Sequence, residues 1–131
     1  MLTAPMLAVG CGGKTGESPQ ADVSGFQKIT PAQAKEMMDG ETPYILLDVR
    51  AEDEFIKSRI DGAVLIPHTE IKTRASAALP DKDAVILVYC AGGIRSANAA
   101  RNLARLGYTN VYDFGGIQSW PYETVSGVIA K

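Results

Sequence analysis

The segment Cys90-Ala91-Gly92-Gly93-Ile94-Arg95-Ser96 holds the residues of this chain best suited to chemistry. A cysteine supplies a soft nucleophile whose reactive form is the thiolate. Two glycines let the backbone curl tightly over it, and an arginine adds a fixed positive charge suited to an oxyanion. Before the segment runs Ala84-Val85-Ile86-Leu87-Val88-Tyr89, an unbroken apolar stretch of the kind expected of a strand buried on both faces. After it runs Ala97-Asn98-Ala99-Ala100-Arg101-Asn102-Leu103-Ala104-Arg105-Leu106, rich in helix formers and closed by Gly107 as a C-terminal cap. Cys90 is therefore placed where a central strand ends, under a short loop that leads into a helix N-terminus. The peptide N–H groups of such a loop and the helix dipole both favour an anion at its centre, so a thiol there is expected to ionise more easily than a free one.

The elements that position this loop alternate between strand and helix. Phe26-Gln27-Lys28-Ile29 reads as a short first strand. Thr30-Pro31 supplies an N-cap and a proline at the first helical position of a helix reaching Asp39, stopped by Gly40. Tyr44 to Val49 is a second strand, and Glu52 to Lys57 a short helix with acids in its first turn, where they suit the dipole. A third strand, Ala63 to Ile66, ends at Pro67. A helix over about 69–77, a turn at 79–83, a last strand over 111–113 and a final helix over 117–124 complete the pattern. This alternation predicts an α/β fold, a mostly parallel five-stranded sheet with helices on both faces.

In such sheets ligands bind beyond the carboxyl ends of the strands, where Asp48 and Cys90 both fall. Asp48 and Arg50 are expected to brace a loop as an ion pair, because a carboxylate beside a thiolate opposes its ionisation. Gly115-Gly116 reads as a backbone turn and Trp120 as core or pocket wall. His68, the one histidine, reads as a solvated loop residue, and an anion-favouring loop needs no base to ionise its cysteine.

Composition narrows the partners. A formal charge of −2 over 131 residues gives no basic field, so nucleic acid is not an expected partner. Cys11 and Cys90 lie too far apart in sequence for a cysteine-rich framework or a spaced metal site, and no metal or cofactor is expected. Residues 1–25 differ in kind from the globular part, 26–131. An apolar, uncharged run from Met1 to Gly10 is too short to span a bilayer and abuts Cys11, after which small and polar residues read as a flexible tether. Apolar run, small residues, cysteine and tether resemble the end of a bacterial lipoprotein signal, with lipid on the Cys11 thiol. That resemblance implies a cell-envelope or periplasmic protein held to the membrane only by an anchor; a cytoplasmic protein is the alternative.

Several stretches, in order along the chain, resemble single-domain rhodanese-type sulfurtransferases. Leu46-Leu47-Asp48-Val49-Arg50 with Glu54-Phe55, Ile60-Asp61-Gly62-Ala63-Val64-Leu65-Ile66-Pro67, the Cys90 loop, Gly107-Tyr108, and Val111-Tyr112-Asp113-Phe114-Gly115-Gly116-Ile117-Gln118-Ser119-Trp120 carry the resemblance over residues 26–126. Arg59 stands where the family often has histidine. The resemblance implies a monomeric sulfurtransferase that takes sulfane sulfur from a donor such as thiosulfate and passes it to cyanide or a thiol, through a persulfide on Cys90. Ala91, Gly92, Gly93, Ile94, Arg95 and Ser96 would bind the substrate, and Asp48 and Arg50 would support them. Ala91 and Ile94 carry no charge, so thiosulfate affinity is expected to be modest and a polysulfide, persulfide or protein donor stays open. Two alternatives remain beside this reading. A sulfur-carrier module passing persulfide sulfur between proteins would share the same sequence. A cysteine phosphatase or arsenate reductase uses a similar Cys-to-Arg loop, but the loop here is one residue shorter than that of tyrosine phosphatases and no aspartate is obviously placed as general acid.

Overall fold

The structure, a computed structural model, describes residues 25–128. Cys11 and the tether expected over 1–25 lie outside the described residues, save for Gly25. In chain order the elements are β1 (Gln27–Lys28), α1 (Pro31–Asp39), β2 (Ile45–Asp48), α2 (Glu52–Lys57), β3 (Val64–Leu65), a 3-10 turn (His68–Glu70), α3 (Ile71–Ala78), β4 (Val85–Cys90), α4 (Ile94–Arg105), β5 (Asn110–Gly116) and a 3-10 turn (Ile117–Ser119).

Local sequence accounts for most of these boundaries. Thr30 caps α1 through a reciprocal pair: its hydroxyl accepts from Gln33 N at 3.0 Å, and Gln33 Oε1 accepts from Thr30 N at 2.9 Å. Glu54 likewise reaches back to Ala51 N at 2.9 Å at the start of α2. Past α4, Gly107 takes a left-handed φ of +102° that turns the chain toward β5.

Five strands form one sheet in the order β1-β5-β4-β2-β3, every neighbouring pair parallel. Side chains alternate across it. Leu47, Val49, Ile86, Val88 and Cys90 face α3 and α4, packing with Ile71, Ala75, Ala99, Ala100 and Leu103. Leu46, Leu87, Tyr89 and Phe114 face the other way, onto Ala34 of α1, Phe55 of α2 and Trp120. The expected parallel sheet with helices on both faces is thus present. Central β4 is buried along nearly its whole length because helices cover both its faces.

Two local expectations change. The helix expected over 117–124 is only the 3-10 turn Ile117–Ser119. Pro121 has no N–H to donate and forces Trp120 into an extended conformation, φ −83°, ψ 112°. Gly115-Gly116 is no free turn but the end of β5: Val88 pairs with Asp113 and Cys90 with Gly116, so β5 carries one extra residue there. Gly115, at φ +95°, supplies the left-handed conformation that such a bulge needs. The segment after the turn returns to bridge Arg59 to Val125, and the Arg59 guanidinium donates to Phe55 O and Gly127 O at 3.1 and 2.6 Å.

Candidate active site

Cys90 ends β4 as a free, buried cysteine. Gly93, the N-cap of α4, has φ +113°, and its N–H donates to Cys90 Sγ at 3.0 Å. A left-handed residue at this point folds the loop back over the sulfur, a conformation a residue with a Cβ adopts at a cost. An N–H held at a helix N-terminus and aimed at sulfur is the arrangement that accommodates negative charge there.

What holds the loop is as definite as what it encloses. Gln118 N donates to Ala91 O at 3.1 Å. A Cβ on Gly116 would stand 2.0 Å from the same oxygen, so β5 and the loop touch backbone to backbone. Ser96 is fully buried, and its hydroxyl donates its single proton to Asp113 Oδ1 at 2.8 Å; the Gly93 and Gly115 carbonyls lie farther away. Asp113, also buried, accepts in addition from Gly115 N at 2.9 Å and from Lys28 Nζ at 3.2 Å. One carboxylate thereby ties the first turn of α4 to β5 and β1. Asp113 escaped sequence reasoning as a site residue. A carboxylate one residue before a Phe-Gly-Gly strand end, in an otherwise apolar strand, was the signal available.

Asp48 and Arg50 form the expected brace. Arg50 Nε and Nη2 both reach the Asp48 carboxylate, Nη2 at 2.6 Å, while Arg50 N donates to Oδ1 at 2.9 Å. Burial opposes the Arg50 charge, and the Asp48 carboxylate more than offsets it, so the guanidinium pKa is raised. Tyr89 is pushed up as well, first by burial and then by the Asp48 charge, and its hydroxyl accepts from Ile60 N at 3.1 Å.

Arg95 has a partner that the sequence does not announce. Read from sequence it is a fixed charge awaiting an oxyanion. In the structure its Nη1 and Nη2 pair with Glu54 Oε1 and Oε2 at 2.8 and 2.9 Å, across 41 residues of sequence. Hydrogen bonds from Arg95 hold the Glu54 carboxyl at about 2, against partial burial. The hydrogen bonds to Glu54 in turn raise the Arg95 pKa, against partial burial. Ile94 projects into solvent, 79% exposed, directly after the Gly93 amide. His68, half-buried, opens the 3-10 turn before α3, where its N–H donates to Val49 O. A recess of about 550 Å³ opens on the same edge of the sheet, lined by Ala51, Glu52, Leu65, Pro67, Glu70 and Arg74.

Comparison with known proteins agrees with this arrangement. The profile of the rhodanese-like domain matches residues 30–122. Thiosulfate sulfurtransferase PspE of Escherichia coli is 36% identical over 81 residues, 62% of this chain and 78% of that protein. Thiosulfate sulfurtransferase GlpE of Actinobacillus succinogenes is 37% identical over 109 residues, covering 79% and 96% of the two chains. Among solved structures, a rhodanese-related protein from Thermoplasma volcanium superposes with a TM-score of 0.66 at 35% identity, over 76% of this chain and 97% of that one. A parallel sheet in this strand order, a cysteine at the end of its central strand and a glycine loop folded back on the sulfur place the chain in the rhodanese-like domain family.

Proposed function

We propose that this chain is a sulfurtransferase that carries sulfane sulfur on Cys90. The observation that supports the reading most directly is the 3.0 Å hydrogen bond from Gly93 N to Cys90 Sγ inside a loop fixed on both sides. The Cys90 thiolate attacks the outer sulfur of the donor. With thiosulfate, the sulfur–sulfur bond breaks, sulfite leaves with the bonding pair, and a persulfide anion remains on Cys90. Cyanide or an acceptor thiolate then takes the outer sulfur and restores the thiolate. Two displacements replace one difficult transfer between donor and acceptor. The Gly93 amide, already directed at the sulfur, needs no reorganisation when charge passes to the terminal atom of the persulfide.

Asp48 and Arg50 cancel one another and hold the loop after β2. Asp113 holds Ser96 and so the start of α4. These are positioning roles, since neither carboxylate reaches the sulfur through any contact of the structure. Intact mass after incubation with thiosulfate tests the proposal: the expected result is a gain of one sulfur on Cys90, lost on adding cyanide. A Cys90→Ser variant retaining full thiosulfate:cyanide turnover would refute it.

A further inference from the structure

A second cavity lies apart from the cysteine loop, on the side of the sheet that carries α1 and α2. It measures about 480 Å³, and none of residues 90–96 lines it. Its walls come from α1 with the start of β2, from the loop after α2, and from the segment after β5. Pro121 keeps that last segment out of a helix, and backbone contacts pin it to the loop opposite. Arg59 and Val125 exchange hydrogen bonds of 2.8 Å, and Gly127 N donates to Ile56 O at 2.8 Å. Trp120 is fixed in turn, packed on Phe114 at 5.4 Å between ring centres and donating from Nε1 to Glu123 O at 3.2 Å. The cavity is therefore formed before any ligand arrives, and binding need not order its walls.

Aromatic rings and carboxylates make up most of the lining. Trp120 and Tyr122 stand at 72° to one another, 4.8 Å between centres, as two walls of different direction. Tyr44 adds a third ring; it is 38% exposed and Tyr122 39%, so both keep ring surface open to a ligand. The Lys35 ammonium already stands 5.5 Å from the centre of the Tyr122 ring and donates to both oxygens of Asp39 at 2.9 and 2.8 Å. A cation on an aromatic face is thus part of the structure. Lys35 neutralises Asp39, whereas Asp61 and Glu123, on the other two walls, have no ion pair among the described residues. Unpaired negative charge beside exposed π faces favours a cation, above all a weakly hydrated one that leaves water readily. The carboxylates do not gather into a metal site: among the described residues no group of three acids, cysteines or histidines could hold a metal ion. That chemistry selects an organic cation over an inorganic one.

We infer that this cavity binds a small organic cation with a quaternary ammonium head, the head against Tyr44 and Tyr122 and its charge compensated by Asp61 and Glu123. The site is separate from the sulfur chemistry of Cys90 and does not depend on it. Trp120 is the one tryptophan of the chain, so its emission reports on the cavity directly. In the full chain, choline is titrated against its neutral isostere, bearing tert-butyl in place of trimethylammonium, at constant ionic strength. A saturable change in emission is expected for choline at millimolar concentration, with half-saturation about tenfold below that of the isostere. Tyr44→Leu keeps apolar bulk and removes a π face; it is expected to weaken choline about fivefold and leave the isostere unchanged. Asp61→Asn combined with Glu123→Gln, at two exposed side chains, is expected to weaken choline several-fold at low salt and less at high salt. Should Tyr44→Leu fail to fold, this pair of substitutions decides. Equal half-saturation for choline and its isostere, no saturable change with choline in the millimolar range, or choline binding that survives both sets of substitutions overturns the inference.

Discussion

Replacing Gly116 by alanine probes the backbone contact that sets the loop over Cys90. Gly116 is extended, φ −122° and ψ 156°, so alanine meets no conformational penalty there and any cost comes from space. The added Cβ would stand 2.0 Å from the Ala91 carbonyl oxygen, 2.4 Å from its carbon and 2.7 Å from Gly92 Cα. All three are backbone atoms, and the Ala91 carbonyl is also held by Gln118 N. To restore an ordinary contact the loop must retreat by more than an ångström. Overpacking of this kind costs about 1–3 kcal/mol, and a clash with unyielding backbone belongs at the upper end, about 3 kcal/mol. For a domain of this size that corresponds to a fall in Tm of roughly 12–24 °C. The retreat also carries the Gly93 amide off the sulfur, and misplacement on this scale costs about a hundredfold in rate. Thermal melting followed by circular dichroism, with single-turnover loading of Cys90 from thiosulfate, reads both effects. Gly115→Ala is the control: its φ of +95° imposes about 1–2 kcal/mol of left-handed strain, but a Cβ there meets nothing within 4 Å. Should Gly116→Ala melt within about 4 °C of the parent chain and load sulfur at its rate, the close approach would not be what positions the loop.

Other outcomes follow from the same geometry. Asp113→Ala leaves Gly115 N–H without its acceptor and turns the Ser96 hydroxyl to the more distant Gly93 carbonyl, and should destabilise the fold by about 2 kcal/mol in urea titration; a loss under about 0.5 kcal/mol would mean water replaces the carboxylate freely. Glu54 has its carboxyl held at about 2, below its ordinary value of 4.5, so its pairing with Arg95 stabilises the fold above pH 4.5 and that contribution is lost as pH falls toward 2. The stability gap between the parent chain and Glu54→Gln should therefore be level near neutrality and narrow in acid, and a gap that widens on acidification would contradict the pairing. For the N-terminal segment, mass spectrometry of the membrane fraction of the native host is expected to find the chain cleaved before Cys11 and acylated on its thiol; an unprocessed, unmodified Cys11 would end that proposal.

Much of the framework was legible because its signals are local. A run of apolar residues into Cys90, the Thr30-Pro31 start, the acids opening α2 and the proline closing β3 each act through neighbours one to four residues away. Even the Asp48–Arg50 brace spans only two residues, and a carboxylate so close to a guanidinium can hardly avoid it. The last helix failed for a local reason too: Pro121 outweighed the pattern around it.

Long-range contacts were not legible in the same way. Glu54 meets Arg95, Asp113 meets both Ser96 and Lys28, and Gly116 presses on Ala91 because strand order sets β5 against β4 and brings the loops after β2 and β4 to one edge. A linear chain announces that a cysteine will end a buried strand beneath a glycine loop, since apolar periodicity and backbone freedom are properties of adjacent residues. Whether the arginine of that loop stands free or neutralised, and which carboxylate anchors the helix behind it, depends on distances across the sheet. Those distances exist only once the strands have chosen their neighbours.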